Sequence, residues 1–288
     1  MKMTPTAYAF NAIGALVAIG TLAVIVRSTL MPATEAPCGE RYAEGVLFAF
    51  EGASGAPFTT EDFEARLAGD DWGIKENFRV VPAKGLEHKH AMRIALPKGS
   101  LDPAEKSALR GGVAFRWEPR TMTPKAAACL GYRVRLPADF DFAGGGRLPG
   151  LMGGERQDSA AVPEKARAFT ARPMWRAAGV VELNLETPEG LDYGPARVSM
   201  PKGQWVQIEQ EIVLNTPGKR DGILRLWVDG RLASERRNVA FRAHASHLVT
   251  GVAAEVTSAA RGLLNAPPKE QAIEISPFEL RWGPIEGN

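Results

Sequence analysis

The chain has 288 residues, of which 45% are hydrophobic and 24% are charged, and its formal net charge is +2. A single all-β domain of this length can bury a substantial core. Lysines and arginines are interleaved with acidic residues instead of forming a basic block, which argues against nucleic-acid binding. The glycines at 144–146 are not followed by the Gly-Lys-Ser/Thr of a phosphate loop, and the sequence predicts no cofactor.

An apolar segment opens the chain. Residues 12–26 carry no charge, and with residues 7–11 they approach the roughly 20 residues that cross a bilayer as a helix. Lys2 precedes this segment and Arg27 follows it, which favours an amino terminus in the cytoplasm. Residues 33–36, Ala-Thr-Glu-Ala, resemble the cleavage site of a signal peptide, which is the alternative. We expect residues 1–28 to be a signal anchor or signal peptide. The domain would then lie outside the cytoplasm, periplasmic or extracellular, anchored in the cell membrane or secreted after cleavage.

The remaining chain has the pattern of short strands. Residues 29–44 are predicted to be a linker, and residues 45–284 one domain. Two short helices are predicted at 61–68, with Thr60 as N-cap, and at 102–109. The predicted strands are 46–50, 79–81, 91–96, 112–117, one from 132, then 169–176, 180–187, 204–215, 222–229, 246–254 and 273–282. This pattern is typical of an all-β sandwich of two antiparallel sheets.

Two neighbouring predicted strands, 169–176 and 180–187, each have one apolar and one polar face, because alternate residues of a strand point to opposite sides. The predicted polar-face residues are Thr170, Arg172, Met174, Arg176, Glu182, Asn184 and Glu186. Arginines, a hydroxyl, an amide and carboxylates on one face suit a polar polymer such as a polysaccharide. An ordinary solvated sheet face has the same pattern.

Several short motifs occur in sequence along the chain. They are Tyr-Arg-Val-Arg-Leu-Pro at 132–137, Gly-Gly-Gly-Arg-Leu-Pro-Gly-Leu at 144–151, Gly-Gly at 153–154, Met-Trp-Arg at 174–176, Trp-Val-Gln-Ile at 205–208 and Trp-Val-Asp-Gly at 227–230. In this order they resemble polysaccharide lyase family 14 and its glucuronan-lyase relatives, over residues 46–282. The resemblance implies a concanavalin A-like jelly roll whose concave sheet holds the substrate groove. It also implies an acidic, uronate-containing polysaccharide as partner and alginate lyase-like β-elimination as the reaction.

β-Elimination on a uronate requires a group that neutralises the sugar carboxylate, a base and an acid. In the family these tasks belong to a lysine, a Ser-x-Arg pair and a Tyr-x-Tyr pair. The resemblance places Arg147 at the lysine position and Thr170 and Arg172 at the Ser-x-Arg pair, which makes these three the catalytic candidates. Arg172 would neutralise the carboxylate. The candidate substrate-binding residues are Arg176, Glu182, Asn184 and Tyr193.

The two tyrosine positions of the family hold Glu182 and Asn184 in this chain. Asn184 cannot titrate, and an arginine at position 147 stays protonated at any accessible pH. These replacements favour a carbohydrate-binding module at the cell envelope that keeps the groove without the chemistry. Family resemblance favours an active lyase, and a purely structural domain is a third alternative.

Histidines and cysteines offer few further sites. His88 and His90 alternate to one face of a strand but lack a third ligand, so no metal site is predicted. His244 and His247 could reach the groove, although such residues are more often at the surface or in packing contacts. The two cysteines, at 38 and 129, lack the spacing of metal ligands. Either they are joined by a disulfide in an exported domain, or they are two unrelated buried thiols.

Overall fold

The computed structural model describes residues 35–69, 71–101, 109–154, 167–187, 189–194, 198–258 and 266–284. The predicted membrane or signal helix at 1–28, and residues 102–108 of the second predicted helix, lie outside these residues. No helix within the described ranges is long and apolar enough to span a membrane.

The described residues form sixteen strands and two short α-helices. In chain order the elements are β1 (Tyr42–Phe48), α1 (Thr60–Glu64), α2 (Ile74–Asn77), β2 (Phe78–Pro82), β3 (His90–Leu96), β4 (Val113–Trp117), β5 (Ala127–Arg135), β6 (Gly146–Arg147), β7 (Gly150–Gly154), β8 (Arg167–Trp175), β9 (Val181–Thr187), β10 (Gly190–Gly194), β11 (Trp205–Val213), β12 (Gly222–Val228), β13 (Arg231–Val239), β14 (Leu248–Ser258), β15 (Gln271–Ile275) and β16 (Phe278–Pro284).

These strands form two sheets. One has nine strands in the order β13-β12-β11-β5-β15-β3-β2, with β16 pairing with both β5 and β1. The other has seven strands in the order β10-β9-β8-β6-β14-β4, with β7 pairing with β8 and β14. Every pairing between these named strands is antiparallel. The predicted all-β architecture of two antiparallel sheets is confirmed.

Both sheets contribute to one hydrophobic core. The seven-stranded sheet supplies Phe169 and Trp175 from β8 and Leu183 from β9, and the nine-stranded sheet supplies Ile208 and Leu226. Since alternate residues face opposite sides of a strand, the intervening residues of β8 and β9 point away from this core. The apolar faces predicted for these two strands are confirmed, and the polar residues share the opposite face.

One polar residue in the core links the sheets. Gln210 of β11 is fully buried. Its Nε2 donates to the carbonyl of Ala171 in β8 at 3.0 Å, and its Oε1 accepts from the amide of Leu151 in β7 at 2.8 Å. Buried amides are stable only with such partners. Gln210 therefore fixes β7 and β8 beside Arg172.

The structure corrects the first part of the predicted domain. β1 begins at Tyr42, inside the range expected to be linker, and its central residues are exposed or half-buried instead of buried. Among the described strands it pairs only with β16, at the edge of that sheet. The N-cap of α1 is Thr59, not Thr60, because Thr59 accepts from the amide of Asp62 and the Asp62 carboxylate accepts from the amide of Thr59 in a capping box.

Two strand assignments also differ. The strand predicted at 273–282 is two strands, β15 and β16. Both pair with β5, but on its other side β15 pairs with β3 and β16 with β1. Pro277 lies between them and has no N–H for a continuous ladder. β13 was not predicted, because its sequence Arg-Leu-Ala-Ser-Glu-Arg-Arg-Asn-Val is mostly polar.

A disulfide joins Cys38 to Cys129, so the alternative of two unrelated thiols is wrong. Cys38 lies in a 3₁₀ turn, Cys38–Glu40, and packs with Tyr42 and Trp227 in a small cluster separate from the main core. The bond ties the start of the domain to β5, across a sequence separation of 91 residues.

Removing this bond with the double substitution Cys38→Ala and Cys129→Ala is expected to lower the free energy of unfolding by about 2–4 kcal/mol, because the unfolded chain loses a long closed loop. Urea unfolding measures the change. Dithiothreitol should destabilise the wild-type protein by a similar amount and leave the double variant unchanged. Identical wild-type unfolding curves with and without reductant would contradict this expectation.

Candidate functional site

The outward face of the seven-stranded sheet, which we call the polar face, brings together side chains from separate strands. Arg147 of β6 lies opposite Met174 of β8, and Arg172 of β8 lies opposite Asn184 of β9. Asn184 in turn is paired with Tyr193, which lies on the strand β10. The Arg147–Met174 pair and the Arg172–Asn184–Tyr193 row are about 6.6 Å apart along the strands, because Arg172 and Met174 are two residues apart on β8.

A carboxylate that the sequence did not single out joins the two central arginines. Glu255 lies on β14, and its Oε1 accepts from Arg147 Nη1 at 2.8 Å. Its Oε2 accepts from Arg172 Nη1. The side chain of Glu255 is 20% exposed. Glu255 therefore fixes the positions of both guanidinium groups, and it belongs to no motif that could have identified it.

Two further ion pairs extend the polar face. Arg172 Nη2 donates to Glu186 Oε2 at 3.1 Å, where the Arg172 side chain is 13% exposed and that of Glu186 is 54% exposed. Arg176, just beyond the end of β8, donates through Nε to Glu182 Oε2 at 2.6 Å. Opposite charges are therefore paired along this face, and Glu186 is the most exposed of the carboxylates involved.

A cavity of about 360 Å³ opens on the polar face. Its lining includes three of the predicted site residues, Arg147, Arg172 and Asn184. The full set of described lining residues is Arg147, Arg172, Met174, Asn184, Glu186, Thr187, Gly190 and Leu191. Guanidinium groups and an amide suit recognition of carboxylates and hydroxyls. Within this described lining, no side chain is an imidazole, a phenol or a primary amine.

The other predicted residues have different surroundings. Thr170 lies on β8, two residues before Arg172. It is 7% exposed and does not belong to the described lining of the cavity. Arg176 and Glu182 pair with each other. Tyr193 is placed by its backbone opposite Asn184. The structure therefore gathers Arg147, Arg172 and Asn184 most closely.

The glycines of the motif at 144–151 allow neighbouring strands to pack closely. A Cβ at Gly146 would lie 1.9 Å from Cζ2 of the Trp175 indole, and a Cβ at Gly150 would lie 1.9 Å from the Ala171 carbonyl oxygen. Only glycine fits at these two positions. The glycine-rich corner thus lets β6 and β7 pack against β8, and so sets the position of Arg147.

No histidine belongs to the described lining of this cavity. His90 contacts Glu51 at 2.7 Å through Nδ1, and the rings of His244 and His247 contact each other with centroids 5.2 Å apart. Among the described residues, the one group of three potential metal ligands is Cys38, Cys129 and Glu209. The cysteines of that group form the disulfide.

Many solved structures share the fold, and three of them illustrate the similarity. An alginate lyase of the marine PL-14 type from Aplysia kurodai is 24% identical with a TM-score of 0.63, covering 74% of this chain and 89% of its own. A variant of the alginate lyase Aly36B solved with alginate tetrasaccharide is 18% identical with a TM-score of 0.61, covering 85% and 99%. An endo-β-1,4-glucuronan lyase from Trichoderma reesei is 11% identical with a TM-score of 0.51, covering 73% and 89%.

No curated protein sequence matches the chain. The family model described as Polysaccharide lyase 14 matches residues 85–258. That range is more than half of the chain and contains β3 to β14, including every strand of the seven-stranded sheet. The chain belongs to polysaccharide lyase family 14.

Proposed function

We propose that the polar face binds an acidic, uronate-containing polysaccharide. The observation that carries this proposal is the position of Arg172, which lines the cavity, is fixed from one side by Glu255 and meets an exposed carboxylate, Glu186, on the other. Arginine pairs with carboxylates through two parallel N–H donors, which gives both affinity and orientation. Arg147 and Asn184 line the same cavity and would orient the sugar.

The exposed pair between Arg172 and Glu186 can exchange partners. Glu186 is more than half exposed, and an ion pair with one solvated partner contributes little to stability. A uronate carboxylate can therefore replace Glu186 on Arg172 Nη2, while Glu255 keeps the guanidinium in place. Glu186 therefore competes with the ligand carboxylate for Arg172.

Accordingly, Glu186→Gln is expected to raise the affinity for uronate polysaccharides about twofold to fivefold, because the variant removes the competing charge. Isothermal titration calorimetry measures this change. Glu279→Gln is the matched control, since Glu279 is also a half-exposed carboxylate paired with an arginine, on the nine-stranded sheet. An unchanged or lower affinity in Glu186→Gln would contradict the exchange.

An alginate oligosaccharide is bound in a variant of this fold that lacks two of its native side chains. The Aly36B variant with alginate tetrasaccharide carries alanine in place of a lysine and a tyrosine. By analogy, the replacement of the family's lysine and tyrosines by Arg147, Glu182 and Asn184 is compatible with sugar binding. This supports a carbohydrate-binding role for the polar face whether or not the chemistry is retained.

The second candidate function is β-elimination of the bound polymer. Family membership favours it, as does the register that places Tyr193 opposite Asn184 on the neighbouring strand. A tyrosine can act as base and as acid in turn, whereas Asn184 cannot titrate. Ultraviolet absorbance of the unsaturated uronate product tests this function. A rise that is lost in Tyr193→Phe supports it, and no rise with any bound polymer excludes it.

The domain works outside the cytoplasm, in the periplasm or the extracellular space, anchored or released at its amino-terminal segment. The disulfide between Cys38 and Cys129 supports this location, since disulfides persist in oxidising compartments. The uncharged run at 12–26 supports it as well.

Titration of the full chain with alginate, glucuronan and a neutral glucan of similar length tests the proposed function. We expect saturable binding of at least one uronate polymer, weakened by added salt because exposed charges are screened. The neutral glucan should not bind. Equal binding of the neutral and acidic polymers, or binding of neither, would overturn the proposal.

A further inference from the structure

A second cavity, of about 340 Å³, lies at the edge where β10 and β13 approach each other. Three arginines are among its lining residues: Arg220, Arg236 and Arg237. Two carboxylates, Glu189 and Asp192, also line it. Guanidinium groups therefore outnumber carboxylates in the described lining, which suits an anionic ligand.

Arg236 is the fixed member of this group. Its side chain packs against β10, where a Cβ at Gly194 would lie 2.8 Å from Arg236 Cδ. Its Nη2 donates to the Asp192 carboxylate, and the arginine side chain is 22% exposed. The absence of a side chain at Gly194 thus allows this arginine to reach the cavity from the other sheet.

The other two arginines are exposed. Arg220 Nη1 lies 3.5 Å from Glu189 Oε2, and these side chains are 68% and 72% exposed. Arg237 donates to Glu235 through Nε at 2.8 Å and through Nη2 at 3.2 Å, but its side chain is 55% exposed and Glu235 also accepts from the buried Arg225 at 2.6 Å. Exposed pairs of this kind contribute little. A ligand carboxylate can therefore compete for Arg220 and Arg237.

The second cavity adjoins the cavity of Arg172 at the turn between β9 and β10. It lies on the other face of these strands, since Leu185 and Asp192 line it, whereas the alternate residues Asn184 and Glu186 line the first cavity. Both cavities are lined by Thr187, Gly190 and Leu191. Leu191, which lines both cavities, is 53% exposed. A uronate polymer carries a carboxylate on every sugar, so a chain that crosses Leu191 would present carboxylates to both cavities.

We propose that the cavity of Arg220, Arg236 and Arg237 is an additional subsite for anionic sugars, reached by polymers that extend past Leu191 over the β10 edge of the sheet. The subsite rests on the proposed function, because its ligand is the same polymer. It makes binding depend on ligand length, since short oligosaccharides fill only the cavity of Arg172.

The test uses the full chain and uronate oligosaccharides of two lengths, a trisaccharide and an octasaccharide. The double variant Arg220→Gln and Arg237→Gln is expected to lower octasaccharide affinity about fivefold and to change trisaccharide affinity by less than about twofold. The control is Arg231→Gln with Arg133→Gln, which removes the same charge from exposed arginines outside the lining of either cavity.

The outcomes separate the two proposals. A selective loss of octasaccharide binding in the double variant, absent from the control, supports the subsite. The subsite is overturned if both oligosaccharides lose affinity equally, if the control shows the same loss, or if the double variant binds like the wild type. Should the wild-type protein bind neither oligosaccharide, the proposed function fails and the subsite fails with it.

Discussion

Replacing Arg172 by alanine is expected to weaken uronate binding about tenfold or more. A charge-assisted hydrogen bond contributes about 1.5–3 kcal/mol, and about 1.4 kcal/mol corresponds to a factor of ten in affinity. Arg172 is only 13% exposed, so its interaction with a ligand is poorly screened by water. The alanine variant also leaves Glu255 and Glu186 without this arginine, which adds repulsion toward an acidic sugar.

Arg172→Lys separates charge from geometry. Lysine keeps the positive charge, but one ammonium group cannot reproduce the fork that spans Glu255 and Glu186. We therefore expect an affinity between those of the wild type and Arg172→Ala in calorimetric titrations. Arg133→Ala, an exposed arginine of the nine-stranded sheet, is the control and should bind normally. Normal binding by Arg172→Ala would remove Arg172 from the site.

Glu211→Gln is expected to cause the largest loss of stability, about 3–5 kcal/mol, because it breaks a buried ion pair from one side. Glu211 is fully buried on β11; its Oε2 accepts from Arg225 Nη1 at 2.8 Å and forms an ion pair with Arg41 Nη2, also at 2.8 Å. Its Oε1 accepts from the Tyr42 hydroxyl at 2.7 Å. The Arg225 side chain is only 5% exposed and would keep its charge without this carboxylate.

The pH dependence of Glu211 has a defined sign. Burial raises the pKa of Glu211, but the hydrogen bonds from Arg41, Tyr42 and Arg225 outweigh burial and hold its pKa below the ordinary value of 4.5. A carboxylate with a lowered folded-state pKa stabilises the protein above its unfolded-state pKa. That stability is lost as pH falls through the folded-state pKa. The cost of Glu211→Gln should therefore be full at neutral pH and shrink in acid.

Glu209, two residues earlier on the same strand, is the matched control. Burial raises the pKa of Glu209, and this effect is larger than the lowering caused by the hydrogen bond from the Gly39 amide. Ionised Glu209 therefore costs stability as pH rises above 4.5, and Glu209→Gln should stabilise the protein at neutral pH and lose that advantage in acid. Urea unfolding from acid to neutral pH measures both variants. Parallel curves for Glu209→Gln and Glu211→Gln would contradict the assigned environments.

Local alternation was enough to predict the faces of β8 and β9. The apolar residues Phe169 and Leu183 are in the core, and Arg172 and Asn184 share the opposite face. This succeeded because the two-residue period of a strand depends only on nearby sequence.

Long-range pairing could not be predicted in the same way. Glu255 lies 108 residues from Arg147 and 83 residues from Arg172, and no local pattern specifies that β14 pairs beside β6 and β7. Gln210 reads as an ordinary polar residue of a strand, although its amide links two sheets. The ion pairs that neutralise the arginines of the polar face appear only in three dimensions.

The most direct test of a uronate-binding polar face is a crystal structure of the protein with a bound uronate oligosaccharide. We expect a sugar carboxylate within hydrogen-bond distance of the Arg172 guanidinium, with Glu186 displaced from Nη2 and Glu255 still in place. An oligosaccharide bound on the nine-stranded sheet, or one on the polar face with Arg172 still paired to Glu186, would contradict the account.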